Sequence, residues 1–225
     1  MNKRTAIAGF GILAAAALVL PYAYAESADN MQASGERVRI TVENLTTSQG
    51  FSPSVFFTHN TEVDPLFVEG EKASFGVARM AEDGNPAPIA GEAAMKIGKE
   101  VGEVKIPLPV GPGKSQSIEL MVDENRPYVS GAWMLGRTND GFAGFGARDI
   151  LNATGTQTFD LYALDAGTEV NDEKRESLPA LMGTNRNPED APIMRHSGIR
   201  GDADAPPDWK FDPNQPVARV TIERM

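Results

Sequence analysis

The segment DLYALDAGTEVND, at positions 160–172, concentrates oxygen donors around a tight turn. Four carboxylates and the carboxamide of Asn171 flank the small residues Ala166-Gly167-Thr168. A hard cation such as Ca²⁺ takes about six to eight oxygen ligands, from carboxylates, carboxamides and backbone carbonyls. The Asp-rich pattern of an EF-hand loop is absent, so the segment alone is compatible with either a solvated acidic turn or a calcium site.

A second segment, GRTNDGFAGFGARDI at positions 136–150, carries a strong turn signal at Asn139-Asp140-Gly141. Phe142 and Phe145 follow, separated by small residues. One interpretation is a hairpin with two aromatic side chains in the core. In the other, Asp140 faces the acidic turn of 160–172, since loops at one end of a sandwich meet although they are distant in sequence.

The two histidines and the two tryptophans are weaker candidates. His59 in FFTHN and His196 in MRHSGIRG lack a Gly-x-Ser-x-Gly nucleophile motif and a closely spaced second metal ligand. His59 is therefore expected to hydrogen-bond a loop, with partner binding as the alternative. Trp133 lies in an apolar strand pattern, whereas Trp209 in PPDWKFDP is either a loop anchor or a binding platform.

The N-terminal residues have the three regions of a secretory signal. Lys3 and Arg4 precede an apolar run from Ala6 to Leu20, and Ala23-Tyr24-Ala25 predicts cleavage after Ala25. We therefore expect a signal peptide over 1–25, a flexible segment over 26–36 and one domain over 37–225, exported to the periplasm or beyond.

The charge balance narrows the choice of partners. The chain has 225 residues, with 21 Lys and Arg against 31 Asp and Glu, a formal net charge of −10. Loss of Lys3 and Arg4 with the signal leaves 19 against 31, or −12. Such a surface repels nucleic acid and anionic lipid and attracts divalent cations. Because there is no Cys, neither disulfides nor thiolate chemistry is available.

Short periodic segments predict a mostly β fold. Apolar residues alternate with polar ones over Val38–Val42 and again over Ala218–Ile222, and further strands are expected at 101–108, 117–122, 128–135 and 159–164. Glu71–Asp83 is the best helix candidate, with Gly84 as its C-cap. The Pro- and Gly-rich segment 169–215 shows little periodicity, which indicates a long functional or poorly ordered loop.

Four segments in order resemble the spondin N-terminal domain family, in its bacterial branch. They are FSPSVFFTHN (51–60), EGEKASFGVARMAEDGN (69–85), YVSGAWMLGRTNDGFAGF (128–145) and DLYALDAGTEVND (160–172). The likeness extends from about Val38 to the closing PVARVTIERM. It implies a C2-like antiparallel β-sandwich with one or two short helices that binds calcium.

The same resemblance implies a ligand set. Asp140 and Asp165 stand at the positions of two family calcium ligands. Met121 stands where the family has a ligating Glu, and Met cannot serve a hard ion. Glu119 or Asp123 could replace it if their strand carries a bulge.

The sequence thus favours an exported, non-catalytic recognition or adhesion module, in which calcium orders loops that contact a protein or a glycan. Two alternatives remain. One is a metal-assisted hydrolase acting near Asp140, Asp165 and His59. The other is a purely structural domain whose metal site has been lost.

Overall fold

The computed structural model describes residues 35–225. The predicted signal peptide and most of the predicted flexible segment lie outside these residues. The first described strand begins at Glu36.

Ten strands and two helices make up the domain. The helices are α1 (Phe75–Asp83) and α2 (Ala87–Ala94). The strands are β1 (Glu36–Asn44), β2 (Val55–His59), β3 (Val101–Lys105), β4 (Ser115–Val122), β5 (Tyr128–Met134), β6 (Gly141–Asp149), β7 (Gln157–Leu161), β8 (Leu164–Asp165), β9 (Met194–Arg195) and β10 (Ala218–Arg224).

The strands form two antiparallel sheets, which confirms the predicted mostly β sandwich. One sheet has the order β4-β1-β10-β7 and the other β3-β2-β5-β6-β8-β9. In β1 the alternation places Val38, Ile40 and Val42 in the core and the polar residues between them outside. Between the sheets, Trp133 packs against Phe51 and Phe56, with ring centroids 5.5 and 6.0 Å apart.

Both helices cover the outer face of the six-stranded sheet. Val77 and Met80 of α1 and Ile89 of α2 pack on side chains of β2 and β5 in a second apolar cluster. Helix α1 begins four residues later than predicted, because the Ser74 hydroxyl accepts a hydrogen bond from the Val77 N–H and caps it there. Gly84 ends it in the left-handed conformation, as predicted.

The segment 169–215 is ordered by an apolar cluster of its own. Leu178, Ile199, Ala205 and Trp209 are buried together, with Leu181 and Phe211 packed against them. Two short 3₁₀ helices, Pro179–Leu181 and Pro207–Trp209, lie within it. This small core holds a long, non-periodic segment in place against one end of the sandwich.

Candidate metal site

The turn before β6 and the end of β8 bring the two predicted aspartates side by side. Gly141 pairs with Asp165 in the antiparallel ladder of β6 and β8. The Ala166 N–H also donates to the backbone carbonyl of Asp140, at 3.2 Å. Asp140 thus lies beside the acidic turn of 160–172, as the second interpretation of the sequence expected, and the two loops form one acidic site.

Asp140 is fully buried, and its two carboxylate oxygens have different surroundings. Its Oδ2 accepts hydrogen bonds from the Thr168 N–H at 2.9 Å, the Glu169 N–H at 2.9 Å and the Thr168 hydroxyl at 3.2 Å. Its Oδ1 is buried without any hydrogen-bond partner. A buried, unpartnered carboxylate oxygen costs free energy, and a cation bound to this atom would offset that cost.

Two carboxyl groups of the site have strongly raised pKa values. Burial, and after it the charge of Asp165, raises the pKa of Asp140 to about 7. Burial, followed by the charges of Asp140, Asp83 and Asp172, raises the pKa of Glu169 to about 7. Like charges are thus held close together where water screens them poorly, and a cation would relieve that repulsion.

Asp165 is oriented by the turn that follows it. Its Oδ1 accepts a hydrogen bond from the Gly167 N–H at 2.7 Å, and the Asn171 side chain donates to its Oδ2. Gly167 has a φ of +68°, and a Cβ there would lie 2.4 Å from the Ala191 carbonyl oxygen. Only glycine fits this turn, so the Asp-Ala-Gly-Thr segment has a structural reason for its sequence.

A charge cluster ties the site to the end of α1. Arg186 contacts Glu82 and Asp83 of the helix and also Glu169, whose Oε1 lies 3.0 Å from its Nη1. Arg79 pairs with the same two helix carboxylates. The contact of Arg186 with Glu82 and Asp83 was not predicted from the sequence, because it joins residues about a hundred positions apart.

The structure does not bring Glu119 or Asp123 to this site. Glu119 lies on the exposed face of the four-stranded sheet, where Arg37 and Arg39 bind it at 3.2 and 3.1 Å. Strand β4 pairs with β1 in continuous register from Ser115 to Val122, so the bulge that would redirect Glu119 is absent from this pair.

Asp123 and the nearby Met121 also lie outside the site formed by Asp140 and Asp165. Asp123 binds Arg126 at 2.7 Å in the turn before β5, whereas Asp140 follows the other end of β5. Seven residues of strand span roughly 20 Å, so Asp123 is remote from Asp140. The Met121 N–H donates to Glu103.

The prediction that His59 and Trp209 bind a partner is corrected by their burial. His59 is 3% exposed and Trp209 8%, so neither offers a surface. Trp209 is the loop anchor that the sequence allowed as an alternative, and the Arg137 guanidinium lies 4.9 Å from its ring centroid. His59 pairs with Tyr128 at the start of β5 and therefore lies away from Asp140 and Asp165.

Two buried polar side chains, Ser130 and His196, form contacts that the sequence analysis did not predict. Ser130 lies 2.8 Å from His59 Nε2, and its hydroxyl accepts a hydrogen bond from the Ala147 N–H at 2.9 Å. His196 is buried beside Gly141, and its Nδ1 accepts from the Gly198 N–H at 2.9 Å. The contact of Ser130 with His59 depends on the register of β2 and β5, which single residue types do not reveal.

The donor chemistry of the site suits a hard cation. Asp140 and Asp165 supply carboxylate oxygens, and one of these has no other partner. Among residues 35–225, no three His, Cys, Asp or Glu side chains converge as a metal-ligand group. A bound ion would therefore also need backbone carbonyls or water, which calcium accepts readily.

A protein-family model matches the chain. The model described as Spondin_N covers residues 43–175, or 133 of the 225 residues. This range includes both aspartates of the site and ends within the 169–215 segment. No curated protein matches the chain. Within residues 35–225, no helix is both long and apolar enough to cross a membrane.

Proposed function

Because this chain belongs to the spondin N-terminal domain family, which suggests an extracellular, adhesion-type module, we propose that it is an exported recognition module organised by calcium. Asp140 and Asp165 would hold the ion at one end of the sandwich. The ordered loops would then contact a protein or a glycan. The role assigned to the ion is structural, and no catalytic step is assigned to the site.

The observation that carries this proposal is the buried, unpartnered Oδ1 of Asp140. Its partner oxygen already accepts three hydrogen bonds, so the carboxylate is held in a fixed orientation. Asp165 is fixed in the same way by Gly167 and Asn171. Two oriented carboxylates adjacent to each other are what an oxygen-ligated ion requires and what a solvated acidic turn does not need.

Calcium would act on the loops through their own contacts. Residues 165–172 supply both the Asp165 carboxylate and the N–H groups that bind Asp140. Neutralising the two carboxylates removes the repulsion that opposes this packing. The ion would thereby stabilise the segment 165–172 and, through Glu169 and Arg186, its contact with α1.

The test is thermal unfolding of the purified protein in chelator, followed by rising calcium, with magnesium as the comparison ion. Calcium at about a hundred times its dissociation constant should add roughly 2.7 kcal/mol. Asp140→Asn and Asp165→Asn should abolish that gain. Asp160→Asn, which removes an exposed carboxylate bound to Arg219, should keep it.

The same experiment separates the proposal from a structural domain without a metal. That rival is favoured by Arg186, which already supplies a positive charge to Glu169. It expects an unchanged melting temperature at millimolar calcium, whereas equal shifts with calcium and magnesium would indicate general screening of an acidic surface. Either result would remove calcium from the proposed function.

A further inference from the structure

A concave apolar pocket lies on the helix-covered side of the six-stranded sheet. Its volume is about 210 Å³. Phe57 of β2, Val63 and Leu66 of the following loop, and Ile89 and Ala93 of α2 line it. Phe57, Ile89 and Ala93 are 4, 5 and 7% exposed, so their positions are fixed by the second apolar cluster.

The pocket is large enough for a small hydrophobic group. An apolar cavity of about 150 Å³ binds benzene, so 210 Å³ accepts a phenyl ring or a branched aliphatic side chain with a short linker. Ser74 lines one border, and the next residue, Phe75, is 71% exposed.

Carboxylates dominate the mouth of the pocket. Asp64 and Glu92 line it, and neither forms an ion pair with any residue in the range 35–225. Lys96, which also lines it, is bound to Glu100 at 3.0 Å. The two acids and one base that line the pocket have a formal charge of −1, and Glu100, which binds Lys96 from outside the lining, offsets the charge of that base.

Asp64, Glu92 and Glu100 all act on the ammonium group of Lys96. The hydrogen bond to Glu100 raises the pKa of Lys96, and the charges of Asp64 and Glu92 add to that effect. The two unpaired carboxylates are thus close enough to the mouth to act on a cation placed there.

From this combination we infer that the pocket binds an aromatic or branched aliphatic group with a positive charge next to it, as on a partner protein segment where Lys or Arg neighbours an apolar residue. Apolar lining supplies most of the attraction, and the carboxylates select the sign of the charge. Anionic ligands are repelled by the same mouth.

This pocket is separate from the candidate metal site. It borders Ser74 at the beginning of α1, while Glu82 and Asp83 at the end of that helix contact Arg186. A nine-residue helix is about 13 Å long. The inference therefore stands whether or not calcium binds at Asp140 and Asp165.

Three probes of similar size test the inference: 2-phenylethylamine, 2-phenylethanol and 3-phenylpropionate. Titration calorimetry and NMR shifts of the Phe57 and Ile89 side chains should show the amine binding more tightly than the alcohol, and the carboxylate most weakly. The advantage of the amine over the alcohol should shrink at high salt, because the mouth carboxylates are exposed.

Variants that neutralise the two carboxylates test whether these groups cause the preference for the amine. Glu92→Gln and Asp64→Asn change exposed side chains, and each should weaken amine binding about two- to fivefold while leaving the alcohol unchanged. Glu124→Gln, in the exposed turn after β4, is the matched control and should change neither. Ala93→Leu places a larger side chain against the pocket and should weaken all three probes.

Several results would overturn the inference. Absence of amine binding at millimolar concentration would remove the site. Binding of the carboxylate or the alcohol as tightly as the amine would reject a cationic partner in favour of a neutral apolar ligand or a non-selective surface. Amine binding that survives Ala93→Leu in a folded protein, checked by its melting curve, would place the probe elsewhere.

Discussion

Replacing Asp140 by Asn should stabilise the metal-free protein at alkaline pH. The substitution keeps the shape of the side chain and one oxygen to accept the hydrogen bonds from Thr168 and Glu169. It removes the charge of a fully buried carboxylate next to Asp165. A protein that lacks its cation should therefore tolerate the amide better than the acid.

The magnitude follows from the raised pKa of Asp140. A folded-state pKa of about 7, against the ordinary 3.8, corresponds to about 4 kcal/mol of opposition to folding above pH 7. The unpartnered amide N–H₂ of the variant offsets part of this gain. We expect a net stabilisation on the order of 2 kcal/mol at pH 8 in chelator.

The pH dependence gives the sharper test. Between the two pKa values the folded protein holds the Asp140 proton more tightly than the unfolded chain, so wild-type stability rises as the pH falls from 8. Asn has no such proton. The free energy of unfolding of the variant minus that of the wild type should thus decrease by about 2–3 kcal/mol between pH 8 and pH 5.

Urea unfolding at a series of pH values, with chelator present throughout, measures this difference. The control is Asp160→Asn, because Arg219 lowers the pKa of that exposed carboxyl and its loss should cost at most about 1 kcal/mol at pH 8. A destabilised Asp140→Asn whose deficit is constant with pH would refute the idea of repelling buried charges. With calcium present, the wild type should become more stable than Asp140→Asn, because only the wild type is stabilised by the ion.

Three further substitutions test the charge cluster of the site, the small core of 169–215 and the contact of Ser130 with His59. Arg186→Gln leaves three carboxylates without this partner and should cost about 1–3 kcal/mol in urea unfolding, while Arg200→Gln, whose ion pair is exposed, should cost under about 0.5. Trp209→Ala should cost about 3–5 kcal/mol and raise amide exchange in 169–215 before the sheets, and uniform exchange would contradict a separate core there. Ser130→Ala should cost about 1–3 kcal/mol, because the partly buried N–H of Ala147 and the buried His59 each lose a partner. A neutral effect would show that water replaces the hydroxyl.

The sheets were predictable where one face is apolar and the other polar. β1 and β10 alternate cleanly, and both strands were identified from that pattern. β6 was missed because it is buried on both faces over its first half. Phe142 packs towards the helices and Phe145 between the sheets, so no alternation remains in its sequence.

The site was predictable in its types of residue but not in its contacts. Asp140 and Asp165 were identified from turn chemistry and resemblance, and the register of β6 and β8 makes them neighbours. Glu119 lies elsewhere because the β1–β4 register gives it arginine partners. Composition does not encode such long-range pairings, and neither does it encode the burial of Asp140.

The pairing of β1 with β10 has a consequence for how this domain folds. Glu36 and Arg224 bind each other at one end of the ladder, although almost the whole described chain separates them. β10 also lies between β1 and β7, so the four-stranded sheet cannot form until β10 has been synthesised. Such distant contacts slow folding, because the intervening chain loses conformational entropy when they form. Until then the apolar face of β1 stays uncovered, and the nascent chain is open to chaperones, proteases and aggregation.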